Sequence, residues 1–162
     1  MKLKVFFIVS MVLTAFFSMI YTGYSRENKL SNGVNCFAQV QYDYNLDGEQ
    51  ALMKTGILFA LANGHGIVSY GGRLYHDGKT YTIKRYVEVN YTVKNESTAL
   101  LRTKSLKIAQ GDDIPEYLAN KYLYSYLRDE NGWLNVGVQP NAENGYIIST
   151  TPVPQFLCKR VK

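Results

Sequence analysis

Residues 76–93 read HDGKTYTIKRYVEVNYTV, and this stretch decides the fold. Asp77-Gly78 suits a tight hairpin, whose two central residues need positive φ, and it stands between runs of strand-forming residues. Beyond it, Tyr81, Ile83, Arg85, Val87, Val89 and Tyr91 alternate with polar residues over Thr80–Val93. A period of two puts those six side chains on one face of a half-buried strand. Arg85 is the exception on an otherwise apolar row: either it pairs with a buried carboxylate or it points into a ligand cavity.

Working upstream, the turn Asn63-Gly64-His65-Gly66 precedes a strand over Ile67–Tyr75, and a further strand runs over Leu52–Leu61. Turn chemistry at Asn45–Glu49 separates it from the alternating run Cys36, Ala38, Val40, Tyr42 and Tyr44. Downstream, Asn95-Glu96-Ser97 turns the chain into Ala99–Ala109. The pattern changes at Gly111. Asp112 or Asp113 is a natural N-cap, Pro115 suits a first helical turn, and Glu116 complements the helix dipole. One helix is expected over Ile114–Arg128, with Leu118, Tyr122, Leu123, Tyr126 and Leu127 against the sheet, ending at Asn131-Gly132. Three short strands follow at Trp133–Val138, Gly145–Thr150 and Gln155–Lys159, with Pro152 and Pro154 at an irregular entry to the last. The class is mainly β, in the α+β sense. About eight strands with hairpin-length connections form an antiparallel meander, which curls into a lipocalin-like barrel with one helix rather than an open sandwich.

The N-terminus carries a second signal. Lys2 and Lys4 precede an uncharged run from Val5 to Tyr24, ended by Arg26, Glu27 and Lys29. At 1.5 Å per residue, roughly 20 helical residues span about 30 Å, the thickness of a hydrocarbon core. Tyr21 and Tyr24 fall at the outer interface. The reading preferred is a single-pass transmembrane helix; the rival is a cleaved signal peptide, since Gly23 and Ser25 allow a cut before Arg26. Positive flanks stay inside, so in both readings the N-terminus is cytoplasmic and the domain is translocated. The expected organisation is an anchor over 1–25, a polar linker over 26–35 and one domain over 36–162.

The only cysteines, Cys36 and Cys158, flank that domain. In an oxidising compartment they form one disulfide that makes the first and last strands neighbours; the alternative is two buried free thiols. The chain of 162 residues is 46% hydrophobic with 14 Tyr, ample for a core. Its net charge is +5, of which Lys2 and Lys4 supply two, and the remaining basic residues are scattered singly, which argues against nucleic-acid binding. His65 and His76 sit in Gly-containing turns without ligand-spaced neighbours, so they read as solvated turn residues and not as metal ligands. No nucleophile elbow, P-loop or HExxH is present, and capping accounts for the Asp112-Asp113 pair, so no catalytic residue and no cofactor are assigned. The positive signal is aromatic. Tyrosines and Trp133 can line an apolar cavity with polar tips or anchor a protein interface, and Arg85, Tyr81, Tyr91 and Trp133 are the candidate cavity or interface residues.

The N-terminal anchor, Cys36 near its exit, the turns at Gly66-Ile67 and Asp77-Gly78, residues 81–86 (YTIKRY), the Asp112-Asp113 helix start and the terminal 154–158 (PQFLC) together resemble the FidL-like membrane proteins of enteric bacteria. The resemblance spans most of the chain, and none of its motifs is catalytic. It implies a bacterial inner-membrane protein with a periplasmic domain, a non-enzymatic accessory that binds and stabilises a membrane-bound ToxR- or CadC-like regulator as a heterodimer. The layout is also similar to VtrC-type proteins, whose barrel is completed by such a regulator and whose complex binds bile salt. That implies a shared pocket for an apolar signal such as a bile salt. A freestanding lipocalin-like carrier of a small apolar ligand is the alternative.

Overall fold

The computed structural model describes residues 10–19, 33–46, 48–95, 97–142, 144–150 and 154–161. At Asn63-Gly64 and Asp77-Gly78 all four φ angles are positive, 51° and 83° at the first pair and 50° and 70° at the second. These are the mirror-image turns whose twist matches that of the strands they join. They connect β2 (Glu49–Ala62) to β3 (His65–His76) and β3 to β4 (Lys79–Asn95). With β1 (Val34–Leu46) before them and β5 (Thr98–Ile108) after, the long strands pair in sequence order without crossovers. The short strands β6 (Trp133–Asn141), β7 (Gly145–Ser149) and β8 (Pro154–Arg160) complete an eight-stranded, closed antiparallel barrel.

Alternation sets the inside. On β4, Ile83, Arg85, Val87, Val89 and Tyr91 are buried while the residues between them are exposed. Inward side chains from all the strands, among them Met53, Val68, Leu74, Leu101, Val136 and Ile148, join one contiguous buried cluster. Burying each aliphatic side chain of this kind stabilises by about 1.5–3 kcal/mol. The wall must bend to close, and at Gly72 a Cβ would run into the carbonyl oxygen of Lys54, so only glycine fits this bend. A register shift on β4 between Glu88 and Val89 leaves Lys104 of β5 without an opposite number, a bulge that adds twist.

The barrel has two unlike ends. At the terminal end lie the start of β1, the turns leaving β2, β4 and β6, and the last residues of β8. At the helical end lie the β1–β2 and β3–β4 turns and the segment linking β5 to β6. The expected single helix over 114–128 is not what forms there. Helix α2 (Glu116–Tyr122) stops after seven residues, Leu123 and Tyr124 are extended (ψ 143° and 151°), and a 3₁₀ turn follows at Ser125–Leu127. The break has a bonding reason: the 3₁₀ turn brings the Leu127 carbonyl to the buried Arg85 Nη1 at 2.8 Å, while Leu118, Tyr122, Leu123, Tyr126 and Leu127 all stay buried. The N-cap is Pro115, with no side-chain cap bond, so the capping role expected of Asp112 and Asp113 is overturned.

The seam between β1 and β8 is short. Among the described residues only Cys36 pairs with Arg160 and Phe37 with Lys159, extended by hydrogen bonds between Asn35 and Val161. A Cys36–Cys158 disulfide crosses it, with Cα atoms 5.4 Å apart and a sequence separation of 122. Of the expected anchor, residues 10–19 form a helix (α1) and the rest of the run, including Tyr21, Tyr24, the cut site before Arg26 and most of the linker, lies outside the described residues. No helix among the described residues is long and apolar enough to cross a membrane. Ten helical residues reach only about 15 Å. Replacing Cys36 and Cys158 by Ser should lower unfolding stability by about 2–5 kcal/mol in urea denaturation, since a closed loop of this length restricts the unfolded chain strongly. An unchanged midpoint would show that the two-pair seam holds without the bond.

Candidate functional site

The helical end gathers the chemistry. The chain leaving β5 does not continue as a strand but stays hydrogen-bonded to β4 through Ala109 N–H to the Lys84 carbonyl and Asp113 N–H to the Thr82 carbonyl. Two carboxylates then take over from the missing strand. Asp113 accepts from the Thr82 N–H, and Asp112 accepts from the Lys84 N–H at 2.8 Å. Asp112 also pairs with Arg85, Nε to Oδ2 at 3.1 Å, with side chains only 5% and 2% exposed. Arg85 Nη1 donates to the Leu127 carbonyl at 2.8 Å. One guanidinium therefore joins β4, the 109–113 segment and the 3₁₀ turn. Of the two readings open for Arg85, the carboxylate partner is the one realised.

Above this tie lies an aromatic layer. The Tyr42 and Tyr44 rings stand 6.0 Å apart, Tyr44 lies 5.0 Å from Tyr122, and Tyr122 lies 5.7 Å from His76. Tyr124 stacks on Tyr126 at 6.2 Å. Burial pushes the Tyr44 phenol up to about 12, with Tyr124 and Tyr122 adding to the effect. The same cause raises Tyr42, Tyr70 and Tyr126 well above the ordinary phenol range, so these rings stay neutral near pH 7. At the rim, Glu49 accepts from Lys121 Nζ at 2.7 Å and contacts His76 Nε2 at 3.2 Å. Bonds from Lys121 and then His76 hold the Glu49 carboxyl below its usual range. Between the β1–β2 and β3–β4 hairpins opens a cleft of about 490 Å³ lined by Asp43, Tyr44, Gln50, Tyr75, His76 and Lys79.

The four candidate residues do not form one site. Tyr81 and Tyr91 share the inward row of β4, but ten residues of strand put them about 33 Å apart, at opposite ends. Tyr91 is core; Tyr81 is half-buried at the helical end. Trp133 is 55% exposed on the outer wall, its backbone bonded to Ser125 Oγ, and it lines no cavity with Tyr91. His76 is not a solvated turn residue: it ends β3 with a side chain 11% exposed. His65 begins β3 and meets Asn90 Oδ1 at 2.8 Å. Asp112 as the Arg85 partner, and the Glu49–His76–Lys121 cluster, were missed because each joins elements distant in sequence. The one available signal was Arg85 itself, a lone charge demanding a carboxylate. Among the described residues no group of three or more His, Cys, Asp or Glu could hold a metal ion.

Fold and site together define a disulfide-closed, eight-stranded up-and-down barrel with an aromatic helical insert at one end. The chain belongs to the FidL-like putative membrane protein family, whose profile matches residues 72–158, more than half of its length. The match runs from β3 to Cys158 and so takes in Arg85, Asp112 and the insert. No curated protein matches the chain.

Truncating Asp112 to Ala leaves a buried guanidinium without its carboxylate and should cost about 3–5 kcal/mol in chemical denaturation. Exchanging the pair together, Arg85→Met with Asp112→Leu, should recover most of that loss. If Asp112→Ala matches wild type, the tie does not hold the insert.

Proposed function

We propose that the protein is a non-enzymatic accessory subunit, held at the bacterial inner membrane by a transmembrane helix within its N-terminal apolar run, with its barrel in the periplasm. There it binds and stabilises a membrane-bound ToxR- or CadC-like transcriptional regulator. Membership of a membrane-protein family supports the setting. The observation that carries the binding role is the edge of β1. Beyond Phe37, residues Ala38–Tyr42 pair with β2 on one side and, among the described residues, with no strand on the other. An unpaired edge presents a row of N–H and C=O groups that an extended segment of another chain can extend into the sheet. Tyr42, Tyr44, Tyr124 and Phe156 stand beside this edge, half-buried or more exposed, where a partner would cover them.

The barrel interior is filled by the buried cluster, which favours the subunit over a freestanding carrier. An apolar signal such as a bile salt would then sit between the two proteins. It would favour the active regulator only by its differential affinity for the assembled state. Retention in the same membrane raises the effective concentration of each partner for the other.

Co-expressed with a membrane-bound ToxR- or CadC-like regulator of the same bacterium, the full-length protein should co-purify from detergent extracts as a one-to-one complex. If each protein elutes alone across a range of mild detergents, the accessory role is wrong.

A further inference from the structure

The terminal end of the barrel differs from the helical end in charge and in what enters it. The helical end carries Asp43, Glu49, Asp77, Asp112, Asp113 and Glu116 among its cations. Among the described residues, the terminal rim carries the exposed Lys94, Lys159 and Arg160 and no carboxylate; Glu96 and Glu143, in the sequence of two turns, and Lys162 lie outside the described residues. The nearest described acid on the wall, Glu88, faces Lys104 at 3.6 Å.

Arg160 is held in place at this rim. Its Nη2 donates to the Tyr146 hydroxyl at 2.9 Å, and the guanidinium lies 5.3 Å from the centre of the same ring. Both residues line a cleft of about 650 Å³ whose other walls are Gly33, Val34, Leu61, Pro140 and Val161, with no acidic residue in the lining. A guanidinium has five N–H donors in a planar fork that suits phosphate oxygens, and prior immobilisation lowers the entropy lost on binding. Val161 is 39% and Ile67 49% exposed close to this end, apolar surface of the kind that enters a headgroup layer.

Chain length then says what lies opposite. β1 starts at the terminal end with Val34, and the apolar run ends at Tyr24. Ten residues reach about 33–36 Å when fully extended. With the run embedded in a bilayer, the barrel is confined near the surface, and the end where β1 begins is the one drawn towards it.

We propose that the terminal end is a docking surface for anionic phospholipid headgroups of that same bilayer, with Arg160 as the fixed phosphate-binding group and Lys94 and Lys159 as its electrostatic surround. The proposal rests on the reading that the apolar run is a membrane anchor. Docking of this kind would set the barrel upright, its helical end and the distal part of the β1 edge turned away from the membrane.

The test uses the full chain in nanodiscs of phosphatidylcholine alone or mixed with phosphatidylglycerol, read by amide hydrogen exchange. With phosphatidylglycerol, exchange should slow several-fold in the turns at 63–65 and 141–145 and not at 77–79, and high salt should remove the effect. The exposed pair Lys94→Gln and Lys159→Gln should weaken it, and Arg160→Gln should weaken it further; the double lysine variant guards against a merely structural effect at Arg160. Incorporation into nanodiscs with identical exchange in both lipids would overturn the docking surface and leave the anchor standing. A chain that elutes apart from the nanodiscs would overturn both.

Discussion

Everything in this molecule hangs on how its last strand meets its first. A meander of eight strands becomes a barrel only where β8 returns to β1, and it does so over two residue pairs, at one end. Two pairs form a weak ladder, and the Cys36–Cys158 bond is what fixes them. Because the bond lies at the terminal end, the rest of the seam is free to splay. The burial of β1 records this: its inward residues are fully buried at Val34, Cys36 and Ala38 and only half-buried from Val40 onwards. Closure and an open edge are therefore two results of the same short seam.

The splayed half would expose a core if nothing filled it. The segment between β5 and β6 does so, and Arg85 determines how. Isolated, a buried guanidinium is costly; paired with Asp112 and bonded to the Leu127 carbonyl it is satisfied, and these partners specify where the insert enters and where it turns. Tyr42, Tyr44, Tyr122, His76 and Tyr126 then pack as rings with polar tips, suited to an end where apolar packing meets solvent. The inward side chains of the strands and of the insert thereby join one contiguous buried cluster.

Much of the architecture was legible because it is local. Asn63-Gly64 and Asp77-Gly78 specify their hairpins by backbone geometry alone, and alternation along β4 specifies its inner face. The cysteine pair, the sole candidates for each other in the sequence, located the seam. What failed was long-range. The pattern over 114–128 satisfies a helix period, yet the chain is extended at Leu123 and Tyr124 and turns there, which brings the Leu127 carbonyl to the buried Arg85, a partner the local pattern does not reveal. Asp112 and Asp113 look like caps in sequence because Pro115 follows, whereas their partners Thr82, Lys84 and Arg85 lie about 30 residues earlier. The grouping of Tyr81 with Tyr91 failed on length: one strand face does not make one site when it runs the height of the barrel.

The accessory role proposed above would use the edge and the ends of the barrel. The disulfide maintains a barrel that is complete enough to be stable and open enough along β1 to accept another chain. The most direct measurement is amide exchange at Ala38–Tyr42 in the full-length protein alone and in the presence of the proposed ToxR- or CadC-like regulator. The account predicts that the outward-directed amides of this stretch exchange faster than those at Cys36 and Phe37 when the protein is alone, and become protected in the complex. Protection already complete in the isolated protein, or unchanged on assembly, would contradict it.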